Sequence, residues 1–125
     1  MEKIISIKNL NVNFNNNNTV IKNVNLDIFK GKTTAIVGES GSGKTLSALS
    51  ILKLLPNNAN ITSGKIIFKN NNILSLSDSE IQKIRGNEIG TIFQEPMTSL
   101  NPLHTINKQI EEIILNHNKV TNNEA

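Results

Sequence analysis

The chain has 125 residues, enough for one domain or part of one. Its net charge is +3 with a pI near 9.3, yet the basic residues are scattered, only one is Arg, and no aromatic residues are interleaved with them, which argues against a nucleic-acid face. With no Cys there is no disulfide framework or thiolate metal site, and the apolar runs are too short to span a bilayer or serve as a signal-peptide core, so direct membrane insertion is not expected.

In chain order, "IISIKNLNVNF" (4–14) alternates apolar and polar residues as a half-buried strand does. The Asn run at 15–18 reads as a turn, and like the second run at 70–72 it is best taken as surface loop filling rather than a prion-like tract. "VIKNVNLDIF" (20–29) alternates again through Val20, Lys22, Val24, Leu26 and Ile28, completing an antiparallel pair. "TTAIV" (33–37) has the β-branched, nearly unbroken apolar character of a strand buried on both faces. A helix is predicted over 44–55, with Ser47, Ser50 and Lys53 as a narrow stripe facing water and the rest buried, ended by Pro56. "GKIIFKN" (64–70) reads as a strand. "SDSE" (77–80) has capping-box spacing for a short helix to Arg85 with Gly86 as its stop, and "EIGTIFQ" (88–94) is the next strand. Ile106, Ile110, Ile113 and Ile114 line one side of a helix over 105–117.

"GESGSGKT" fits G-x-x-x-x-G-K-[ST], the phosphate-binding loop. Glycines at 38, 41 and 43 let the backbone fold tightly and turn N–H groups inward, with Glu39, Ser40 and Ser42 filling the loop between them. These donors, with the positive end of the following helix, form a cradle for polyphosphate. Lys44 supplies a point charge to the outer phosphates, and the Thr45 hydroxyl is a hard oxygen suited to Mg²⁺. A chance match is expected in about 1% or fewer of chains this long at ordinary composition. The predicted strand before the loop and helix after it supply the context the motif requires. The loop alone does not choose among kinases, GTPases, helicases and transport ATPases.

Residues outside the loop narrow the choice. "VGESGSGKT", "ALSILKLLP", "SGKIIF", "IRG" and "IFQEPMTSLNPLHTI", in this order after an antiparallel strand pair, resemble the ATP-binding subunits of ABC transporters. More narrowly, the chain is similar to the peptide and oligopeptide importer branch, and over 82–106 to the first ATPase half of the microcin C (Yej-type) importers. The resemblance covers about 4–117 but only the first half or less of a family domain. It implies an α/β P-loop NTPase core with an N-terminal antiparallel β subdomain and an incomplete central sheet. Residues 1–104 would be the N-terminal part of the ATP-binding domain and 105–125 the start of its helical subdomain. It implies ATP and Mg²⁺ as cofactors, with Gln94 as the Q-loop glutamine coupling Mg²⁺ and water, Thr45 as its fellow Mg²⁺ ligand, and Phe14 as the aromatic stacked on adenine. Read from residue type alone, Gln94 is a polar strand end and Phe14 a core or hairpin residue. Transmembrane permease subunits and a second ATP-binding domain are the implied partners, at the cytoplasmic face of the membrane. His104 matches the family as a sequence marker only, and His117 reads as a polar helix end.

The family also uses an LSGGQ-type signature, a Walker B segment with its catalytic Glu, and a switch histidine. None is present here. "EEIIL" (111–115) places its acids before the apolar residues, the reverse of Walker B, and reads as a solvated helix face. The expectation is an N-terminal piece of a peptide-importer ATPase, from a truncated or split gene, an incompletely read one, or an excised segment. Weak ATP binding and negligible hydrolysis follow, together with exposure of apolar residues in "TTAIV" and "GTIFQ". The rival readings are a non-enzymatic remnant that at most binds nucleotide or a partner, and a soluble ABC-type protein of repair or translation, against which "MTSLNP" argues.

Overall fold

Two twelve-residue strands, β1 (Lys3–Phe14) and β2 (Asn18–Phe29), pair antiparallel at the start of the chain. The computed structural model describes residues 1–15 and 18–125, so the predicted turn over 15–18 lies partly outside the described residues. The strand β3 (Ala59–Phe68) pairs antiparallel with β1 on its other side and turns back through the short β4 (Asn71–Asn72), giving the sheet order β2-β1-β3-β4. β3 begins five residues before the segment predicted from "GKIIFKN". This sheet belongs to one compact unit, Met1–Ile81; a second unit spans Gln82–Ala125.

A strict two-residue alternation cannot bury all of the apolar residues of these strands. In β1, Ile5 and Ile7 are odd-numbered while Leu10 and Val12 are even-numbered, yet all four are buried. Between them the ladder shifts register at Asn9, whose φ of 49° lies in the left-handed region; the extra residue restores the phase so that both halves reach the core. β2 repeats the device at Asn23, also at φ 49°. Each irregularity is held by an asparagine from the neighbouring strand. The Asn25 Oδ1 accepts from the Asn9 N–H at 3.0 Å, and the Asn25 Nδ2 donates to the Asn23 carbonyl at 2.9 Å. Reciprocally, the Asn11 Oδ1 accepts from the Asn23 N–H at 2.9 Å, and its Nδ2 donates to the Asn9 carbonyl and to Ser63 Oγ, both at 2.9 Å. Asparagine tolerates positive φ and carries both a donor and an acceptor, so these four are structural rather than loop filling.

The helix α1 (Lys44–Ile51) is four residues shorter than predicted. It ends in a Schellman motif: Leu54 N–H donates to Leu49 O at 3.0 Å and Lys53 N–H to Ser50 O at 3.2 Å, with Lys53 at φ 53° where glycine is usual. The Lys53 ammonium donates onward to the Leu76 carbonyl at 2.8 Å. The predicted water-facing stripe is also corrected. Ser47 and Ser50 are buried, whereas Leu46, Leu49 and Ile51 are only half-buried. The serines can enter because they are small and their hydroxyls return to carbonyls one turn back, Ser47 to Gly43 at 2.9 Å and Ser50 to Leu46 at 2.6 Å.

The capping box forms as its spacing predicts. Ser77 N–H and its hydroxyl donate to Glu80 Oε2 at 2.8 and 2.7 Å, opening α2 (Asp78–Ile84), and Gly86 follows its end at φ 76°. In the second unit, α3 (Ile106–His117) starts at Thr105, whose Oγ1 accepts from the Lys108 N–H at 3.3 Å.

Two predicted strands do not form. Residues 33–37 are irregular and exposed, and of 88–94 only Ile89 makes an isolated parallel bridge, to Arg85. Their apolar content marks them for burial, but a strand also requires a hydrogen-bonded neighbour, and none is paired with 33–37 or 90–94 among the described residues. The central sheet is therefore absent from the described residues, and Val37 and Ile92 stand 88% and 94% exposed.

Candidate nucleotide-phosphate site

Residues 38–43 form a compact loop before α1, with Ser42 N–H donating to Glu39 O at 3.2 Å. Two glycines are required by conformation: Gly41 lies at φ 78° and Gly43 at φ 85°. Gly43 is also constrained by its neighbours, since a Cβ there would stand 3.1 Å from Ile21 Cγ1 and 3.3 Å from the Val20 carbonyl. The absence of a side chain at 43 thus seats the start of α1 directly on β2. At Gly38 a Cβ would come 2.8 Å from the Ser42 hydroxyl, so the loop closes on itself there. Glu39, Ser40 and the rest of the loop are exposed or half-buried, as a ligand cradle must be.

Lys44 curls its ammonium back into this loop, donating to Gly38 O at 2.7 Å, to Glu39 O at 2.6 Å and to Ser42 Oγ at 3.3 Å. Its positive charge is thereby held where the loop backbone encloses it. The first N–H groups of α1 have no carbonyl one turn earlier within the helix, and no side chain caps them at Gly43. An entering polyphosphate would find those donors, the helix dipole and the Lys44 charge together. Thr45, in the first turn of α1, is exposed. A hydroxyl of this kind fits Mg²⁺, which keeps several waters and takes few protein oxygens. Among the described residues no group of three or more His, Cys, Asp or Glu could hold a metal ion.

Phe14 ends β1, half-buried, opposite Asn18 and Ala59. Its strand neighbour Val12 is the partner of Ile21, the residue that Gly43 touches. At two residues' rise Phe14 lies about 7 Å further along, at the sheet end that carries the phosphate loop.

Gln94 belongs to the second unit, exposed at a bend before a 3₁₀ turn over Pro96–Ser99. The loop beyond it is organised by a residue the sequence did not single out. Gln109, on α3, accepts from the Asn101 N–H at 3.0 Å through Oε1, and its Nε2 donates to Asn101 O at 3.1 Å and His104 O at 3.0 Å. A polar residue in the first turn after a Pro-containing loop is the only signal it offers in sequence. His104 thus takes part through its backbone. The half-buried His117 packs its ring against Gly86, where a Cβ would meet Nε2 at 3.3 Å.

Comparison with known proteins gives this geometry its context. Residues 21–125 match the family model described as ABC transporter. The chain is 51% identical over 94% of its length to the dipeptide transport ATP-binding protein DppD of Lactococcus lactis, of which it covers 35%. It is 46% identical over 99% of its length to the peptidoglycan transport ATP-binding protein YejF of Agrobacterium fabrum, covering 23% of that protein, and 41% identical over 98% to the oligopeptide transport ATP-binding protein OppD of Bacillus subtilis, covering 36%. It therefore spans about a third or less of the length of these relatives. With the family model matched across most of the chain, this protein belongs to the ABC transporter family.

Proposed function

We propose that this chain is the N-terminal portion of the ATP-binding component of a peptide importer, and that it holds ATP–Mg²⁺ through Gly38 to Thr45. The observation that carries this reading is the closed loop around the Lys44 ammonium, set on β2 by Gly43. In the bound state Lys44 would leave the Gly38 and Glu39 carbonyls for the outer phosphates, while the N–H groups of the loop and of the first turn of α1 take the remaining oxygens. Mg²⁺ would supply charge neutralisation at the phosphates, with the Thr45 hydroxyl as its oxygen from the first unit; Gln94, in the second unit, takes the Q-loop role by its place in the family pattern. Phe14 would flank the adenine from the end of β1.

The exposed loop after Gln94, with Met97, Leu100 and Leu103 on its surface, supports docking to permease subunits at the cytoplasmic face of the membrane. No helix among the described residues is long and apolar enough to cross a membrane. The division into an ATP-binding part over 1–104 and a helical part from 105 belongs to the same reading. So do a second ATP-binding domain as partner and hydrolysis as a property of the complete protein. The second reading, a remnant that binds without turnover, is favoured by the unpaired segments 33–37 and 90–94.

Fluorescent ATP titration of the chain, with and without Mg²⁺, tests the first claim. Lys44→Ala should weaken binding by about ten-fold or more, equivalent to at least about 1.4 kcal/mol. Unchanged affinity would remove the phosphate loop as the site. ATPase turnover abolished by the same substitution would sink the remnant reading.

A further inference from the structure

At the sheet end formed by the start of β1 and the ends of β2 and β3, a cleft of about 760 Å³ is lined by four lysines, Lys3, Lys8, Lys30 and Lys69, against one glutamate, Glu2. Phe14 and the Val20–Ile21 seat of the phosphate loop lie toward the other end of the same strands. The volume is that of a small-molecule pocket rather than a protein interface. Two of the ammonium groups are held in place by acids: Lys3 pairs with Asp27 at 2.6 Å and Lys30 with Glu2 at 3.0 Å. The cleft also has an apolar side. Ile5 and Phe68 are nearly buried beneath it, Ile4 is 39% exposed, and the Lys69 ammonium stands 5.5 Å over the Phe68 ring.

A second observation comes from the strand register. Lys8 of β1 lies directly opposite Lys65 of β3, and both are exposed. Like charges directly opposed on antiparallel strands are destabilising, a cost that the Asp27 carboxylate, which feels the Lys8 charge, offsets in part and a bound anion would offset further. We propose that this cleft binds a small amphipathic anion, a phosphate or carboxylate group carried on an apolar body, with the anionic group among Lys8, Lys30 and Lys69 and the apolar body against Ile4 and the half-buried Ile67, which shares the Lys8 face of the sheet. Charge alone would make the cleft a site for any polyanion; the exposed apolar side narrows the ligand to one that satisfies both.

The test is an amide chemical-shift titration of the 125-residue chain with hexyl phosphate, inorganic phosphate and hexanol. Hexyl phosphate should shift residues 3–8, 29–30 and 67–70 and bind at least about ten-fold more tightly than either half-molecule. The double variant Lys8→Glu/Lys69→Glu should weaken it by about ten-fold or more, while Lys22→Glu, elsewhere on β2, and Lys44→Ala should leave it within about two-fold. If the double variant does not fold, the titration is read on Lys30→Ala instead. Equal affinity for inorganic phosphate, shifts centred on 38–45, or undiminished binding by the charge-reversed chain would each overturn the assignment.

Discussion

At Gly64 the backbone of β3 comes so close to β1 that a Cβ would stand 2.7 Å from Leu10 Cα and 2.8 Å from the Asn9 carbonyl, and its φ of 112° is one that side chains rarely adopt. Gly64→Ala is therefore expected to cost about 3 kcal/mol or more, read as a lowered urea midpoint, whereas Gly31→Ala, with open space around its Cβ, should cost only its conformational strain of about 1 kcal/mol. Asp27 carries a different kind of prediction. The hydrogen bond from Lys3, and after it the one from the Ser6 hydroxyl at 2.6 Å, hold its carboxyl below the ordinary value of 3.8. Because the folded value is depressed, the contribution to stability is fully present above the unfolded value and is lost as pH falls through the folded one. Asp27→Asn should accordingly lower the urea midpoint at neutral pH, and the gap between variant and parent should close below about pH 3.8. A gap that persists unchanged into that range would show that the carboxylate charge has no part in it.

The paired irregularities of β1 and β2 act as one element. Asn11 and Asn25 each hold a backbone group of Asn9 and of Asn23, so removing either leaves the other with strained residues to restrain alone. Asn11→Ala and Asn25→Ala should each destabilise by about 1–2 kcal/mol, and a double-mutant cycle should show coupling of at least about 0.5 kcal/mol; strict additivity would mean two independent clamps. The strand pair itself, the capping box at Ser77 and Glu80, and the start of α3 were legible because each depends on local pattern: alternation, a three-residue spacing, an isoleucine stripe. The tight loop at Gly41 and Gly43 and the start of α1 at Lys44 were legible for the same reason, the glycines being fixed in sequence. The irregularities at Asn9, Asn23 and Gly64 were not, because a shift of register is visible only once the partner strand is known. The burial of Ser47 and Ser50 is not marked in the sequence, because their polarity points to water while a serine on a helix can satisfy its own hydroxyl. Gln109 was missed because its partners, Asn101 and His104, are backbone groups, which leave no mark in a motif.

At the scale of the whole chain, the sequence assigns β character to two segments that find no strand partner among the described residues. "TTAIV" and "GTIFQ" are apolar enough to be interior, but among the described residues the ladder bonds of the sheet run only through β1 to β4. Unpaired backbone has no protection from solvent exchange, and apolar side chains such as Val37, Ile92 and Phe93 on the surface favour association between copies. Two outcomes are therefore expected in one sample. Amides of 33–37 and 90–93 should exchange at close to unprotected rates, while those of Ile7, Val12 and Ile66, within the laddered and buried part of the sheet, should be protected by about a hundred-fold or more. Sedimentation should show self-association that grows with concentration and that Val37→Ser with Ile92→Ser reduces, without lowering the protection of the sheet. If 33–37 were instead protected in the monomer, the segment would have to be paired within the chain. If it became protected only as copies associate, the association would itself be forming the sheet that the monomer lacks. The second result would place the unmet hydrogen bonds, and not the apolar side chains alone, as the driving contact, because side-chain burial by itself leaves backbone amides free to exchange.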